Sequence, residues 1–130
     1  MELADYLERI VDPTFADFRS NPRSGRHAFL ACVAVFHAVD RAAHPRKAST
    51  LRQEWRKRSF DFLLVDMVAH HFKHVQSYFE KQPTLKNKIP LHCAIFNKNK
   101  IDEESMGLDL HNIYFAIRDA ITFIKKQSEN

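Results

Sequence analysis

The chain has 130 residues, 45% of them apolar and 28% charged, with a formal net charge of +4 and eight histidines besides. That length makes one domain, 1–130, with a core large enough to stand without staples, and no apolar run is long enough to span a membrane. Cys32 and Cys93 lie far apart without a CxxC spacing, which excludes a disulfide framework and reads as two reduced thiols of a cytoplasmic protein. The start, MELADYLERI, carries acids early and has no apolar core of a signal peptide. Two glycines and five prolines are few for this length, and with long apolar periods they predict an all-α fold of four or five helices in a bundle.

The first predicted helix covers 2–20, with Leu3, Tyr6, Leu7, Ile10, Phe15 and Phe18 as its apolar stripe. Pro13 sits inside it and is expected to kink or split it, because proline removes a donor and clashes with the preceding turn. Asn21-Pro22 breaks the chain. A second helix covers 22–44, capped by Asn21 with Pro22 at the first position, or by Ser24. Ala28, Ala31, Ala34 and Ala38 let another helix approach closely. Leu30, Val33, His37, Asp40 and His44 form a line along it, and Pro45 stops it. After a short basic loop, Ser49 or Thr50 can cap a helix over 50–58.

Ser59 or Asp61 then starts the longest predicted helix, Ser59 to Glu80. Leu64, Val68, Phe72, Val75 and Phe79 recur at spacings of three and four, one apolar stripe. Asp66, His70, Lys73, His74 and Ser77 recur at similar spacings beside it. The segment at about 81–108 reads as irregular, with a possible short strand in 88–97, where Ile89, Leu91, Cys93 and Ile95 alternate. The last helix, 109–126, presents Leu110, Ile113, Phe115, Ile117, Ile121 and Ile124, with Lys125 and Lys126 complementing its dipole.

Two polar stripes carry the functional question. His37, Asp40 and His44 share a face of the second helix, and Asp66, His70 and His74 share a face of the long one. If these helices pack antiparallel, the sets meet in the interior. The plainest outcome is a buried structural cluster in which Asp66 accepts from His37 and Asp40 from His74 or Lys73, since unpaired buried groups cost roughly 1–3 kcal/mol each. A catalytic reading makes His74 or His37 a general base oriented by Asp40 or Asp66, with Lys73 stabilising an anion. A metal reading uses His37, Asp40, His70 and His74, but the Glu-x-x-His pairs of di-iron bundles are absent, and no cofactor is expected.

The basic segment is a separate candidate. Arg46, Lys47, Arg52, Arg56, Lys57 and Arg58 fall within thirteen residues around Trp55. Arg52, Trp55, Arg56 and Arg58 could grip a phosphate backbone and stack a base of non-specific RNA. The competing reading is a solvated helix with Trp55 turned into the core.

Phe36-His37-x-x-Asp40, followed later by Asp66…Ala69-His70-x-x-Lys73-His74, resembles a pattern of small bacterial helical proteins similar to the HEPN superfamily. Those are short helical bundles that often dimerise and include ribonucleases. The resemblance spans roughly 27–75 and implies a helical fold, a homodimer and a special role for Asp66, Lys73 and His74. Arg41 stands where that pattern has an aromatic, and His70 where it has asparagine. The ribonuclease signature, arginine followed by histidine after four to six residues, is absent. The expectation is therefore a cytoplasmic binding or accessory protein, with metal-independent ribonuclease or RNA binding as the alternative and a small metal-binding bundle after that.

Overall fold

The computed structural model describes residues 1–73 and 110–129, the side chains of 71–73, 110 and 111 excepted. Five helices make up the described fold. Helix α1 runs from Leu3 to Ser20 in three parts: α-helical Leu3–Tyr6, a π-helical turn Leu7–Val11, and α-helical Asp12–Ser20. Helix α2 is Gly25–Ala43, α3 is Ala48–Arg58, α4 is Phe60–Lys73 and α5 is Leu110–Ser128. Helix α2 is the centre, touching all four others, and α4 and α5 pack on each other beside it. No strand occurs among the described residues. The strand expected at 88–97, the irregular segment expected at 81–108 and the part of the expected long helix from His74 to Glu80 lie outside them.

Local chemistry accounts for the boundaries. Pro13 sits in the first turn of Asp12–Ser20, and the helix continues through it instead of splitting. Without an N–H, Pro13 leaves the preceding turn short of a donor. That turn widens, and the Asp12 N–H donates to the Leu7 carbonyl five residues back. Asn21 Nδ2 donates to the Asp17 carbonyl (3.0 Å) and closes the helix.

Of the two candidate caps for α2, Ser24 is the one used: its Oγ accepts from the His27 N–H at 3.2 Å. Helix α3 begins one residue before the expected caps, at Ala48. Lys47 occupies the cap position without a side-chain bond. Ser59 alone separates α3 from α4, and its Oγ accepts from the Phe62 N–H at 3.0 Å.

The core forms where small and large residues face each other. Ala28, Ala31, Ala34 and Ala38 are all buried, as their spacing predicted, on the helix that α1, α4 and α5 all pack against. Phe18, Phe62, Ile113, Ile117 and Ile124 are fully buried, each contributing about 1.5–3 kcal/mol relative to exposure. Trp55 is 2% exposed and sits edge-on to Phe62 (5.5 Å) and Phe123 (5.7 Å), tying α3 to α4 and α5. Tyr6 donates its hydroxyl to the Ala34 carbonyl at 2.7 Å, pinning α1 to α2.

Three apolar residues depart from the faces their spacing suggested. Ile10 is exposed while Val11 is buried, because the π-helical turn shifts the phase of α1. Leu64 is half-buried while Val65, Met67, Val68 and Ala69 are buried, because α2, α3 and α5 all touch this part of α4. Phe115 is exposed, with the Arg118 guanidinium 4.7 Å from its ring centre.

Candidate functional site

Asp66 is the buried charged residue of the described chain, 1% exposed on the inward side of α4. Its partners come from α3. Arg52 and Arg56 are one helical turn apart on a single face, so both guanidiniums reach the same carboxylate. Arg52 Nη1 donates to Asp66 Oδ1. Arg56 Nε lies 3.0 Å from Oδ2 as an ion pair, without the alignment of a hydrogen bond. Arg52 Nη2 also donates to the Phe36 carbonyl at 3.3 Å, and its guanidinium lies over the Phe36 ring at 4.0 Å. Arg52 thus joins α2, α3 and α4. Burial pushes the Asp66 carboxyl up from its ordinary value, and the charges of Arg52 and Arg56 pull it back.

The expected convergence of histidines and carboxylates takes a different form. The buried face of α2 carries Ala28, Ala31, Cys32, Val35, Phe36 and Val39, which turns the line of Leu30, His37, Asp40 and His44 outward. His37 and Asp40 are half-exposed and pair with each other, Nδ1 to Oδ2 at 3.5 Å. Asp66 therefore accepts from Arg52 and pairs with Arg56, and not with His37. His70 is exposed. Lys73 is the last described residue of α4, its side chain outside the description, and His74 lies beyond it. The pairings expected of Asp40 with His74 or Lys73 are outside the described residues. No group of three or more metal-ligand side chains occurs among the described residues. No described helix is long and apolar enough to cross a membrane.

The basic segment divides by helix phase. Arg52 and Arg56 turn inward to Asp66, and Trp55 is in the core, so its ring cannot stack a base. Arg58 points outward, its guanidinium 5.4 Å from the centre of the Phe123 ring. Reading the sequence placed Arg52 and Arg56 on a surface that grips phosphate. The two arginines lie four apart on α3, and α4 sets Asp66 against both.

Arg58 lines a cleft of about 500 Å³, which His44 of the second helix's polar line also borders. Its walls are the start of α1, the end of α2, α3 and the end of α5, and they bring in Arg41 and Arg46. Arg41 lies in the last turn of α2, and Arg46 follows Pro45 in the turn leading to α3.

Compared with known proteins, the chain matches no protein-family model, no curated protein and no solved structure.

Proposed function

We infer that the chain is a helical binding or accessory module whose buried polar cluster braces the fold and performs no chemistry. The observation that carries this reading is the Asp66 carboxylate, with an arginine on each oxygen. A general base needs an oxygen open to its substrate, and Asp66 is 1% exposed behind its two arginines. A histidine oriented by a buried carboxylate would support the ribonuclease alternative. Among the described residues the nearest equivalent is the His37–Asp40 pair on the outer face of α2, where water competes for both groups.

The test is incubation of single-stranded RNA with wild type, His37→Ala, His74→Ala and Asp66→Asn, alongside thermal melts. The expected result is no cleavage above blank in any sample and a lowered melting point for Asp66→Asn. Cleavage by wild type that disappears in a variant melting like wild type would overturn the reading.

A further inference from the structure

We propose that the Arg41–Arg46–Arg58 cleft is a binding site for a phosphomonoester carrying a small apolar body. The three arginines come from the end of α2, the following turn and the end of α3, and they line one cleft of about 500 Å³, within the size range of small-molecule sites. Glu2 is the one acid among the lining residues, so the walls carry a net charge of +2 (three arginines less one glutamate).

The guanidiniums are available. Among the described residues, none of the three takes part in an ion pair or a side-chain hydrogen bond, in contrast to Arg52, Arg56 and Arg118. Two are held by ring faces instead: Arg41 over Tyr6 at 5.5 Å and Arg58 over Phe123 at 5.4 Å. Stacking orients a guanidinium while leaving its N–H donors in plane for an oxyanion, and the fork of donors suits phosphate oxygens.

The rest of the cleft supports the same ligand. Half-buried Leu51 gives the cleft an apolar wall, and the edge of Trp55, itself 2% exposed, borders it from the core. The end of α5 also lines it, and free carbonyls there would repel an anion. One side chain answers one of those carbonyls: Ser128 Oγ donates to the Lys125 carbonyl at 2.8 Å. A neighbouring cleft of about 480 Å³ shares Glu2, Arg41 and His44 but adds Asp40, so it has one more acid and two fewer arginines.

This assignment is separate from the role of Asp66 as a brace, and either can fail without the other. Trp55 is the single tryptophan of the chain and lines the cleft, so its emission reports on occupancy. Phenyl phosphate is the probe, with phenol and inorganic phosphate as companions, at low salt. The expected result is a saturable change in Trp55 emission with phenyl phosphate, weaker binding of inorganic phosphate, none of phenol, and loss of affinity as salt rises. Arg46→Ala/Arg58→Ala, with an unchanged circular dichroism spectrum, should bind about tenfold more weakly or worse. If that variant does not fold, Arg46→Ala, a change in the exposed turn, should still weaken binding about threefold. The proposal is overturned by no response to phenyl phosphate at millimolar concentration, by phenol or inorganic phosphate binding as tightly, or by folded arginine variants that bind like wild type.

Discussion

Two sets of arginines from one short stretch of sequence meet opposite fates. Arg52 and Arg56 enter the interior, where a carboxylate, a carbonyl and an aromatic face absorb their charge. Arg46 and Arg58, a few residues away and joined by Arg41, stay on the surface, where ring faces steady two of the three and none of them pairs with an acid among the described residues. The difference is helical phase. A basic run in a sequence is not one feature: the helix it forms sorts it into residues that must be neutralised to be buried and residues that remain free to meet a partner.

The comparison is broken most severely at Asp66. Asp66→Ala strands two largely buried guanidiniums and is expected to cost about 3 kcal/mol or more, measured by urea denaturation. A loss below about 1 kcal/mol would mean that Arg52 and Arg56 simply turn to water. In a double-mutant cycle, Asp66→Ala and Arg52→Ala should depart from additivity by about 1–3 kcal/mol, because each removes what the other was paired with.

Tyr6→Phe comes next. It keeps the ring over which Arg41 lies but leaves the Ala34 carbonyl without its donor, for an expected loss of about 1 kcal/mol. Arg46→Ala should move stability by no more than about 0.5 kcal/mol, since no described partner depends on it. That contrast with Asp66 is the sharpest form of the comparison.

Cys32 gives an independent readout of the interior. It is buried, and burial pushes its thiol well up from the ordinary value. Alkylation at Cys32, resolved by mass spectrometry, should stay at baseline in wild type as the pH passes the usual thiol range of about 8.5. It should rise in Asp66→Ala, because opening of the core is then more frequent.

Much of the scaffold was legible in the chain. The alanines of α2 announced a close helix contact, Ser24 and Ser59 announced helix starts, and Trp55 among its cations was open to the reading in which it faces the core. Periodicity says which residues share a face but not which helix will cover it, and the misplacements trace to that. His37 and Asp40 share a line with Leu30, and nothing local shows that this line is the outer one. Only the competing face of Ala31, Cys32, Val35 and Val39, packed by α4 and α5, turns it outward. Likewise α3 could not be foreseen as the source of counter-charges for Asp66, because that depends on a one-residue link at Ser59 folding α3 back beside α4. The Arg41–Arg46–Arg58 cleft was illegible for a related reason: its residues belong to three successive elements and share no period.

The widened turn at Leu7–Val11 has one more consequence. It accommodates one residue more per hydrogen-bonded ring than an ordinary coil, so everything N-terminal to it is rotated relative to Phe15 and Phe18. Excising a single residue there would swing Tyr6 away from Ala34, and with it the aromatic plate on which Arg41 rests. A backbone irregularity remote from the charged rim thus sets the angular position of one of its walls.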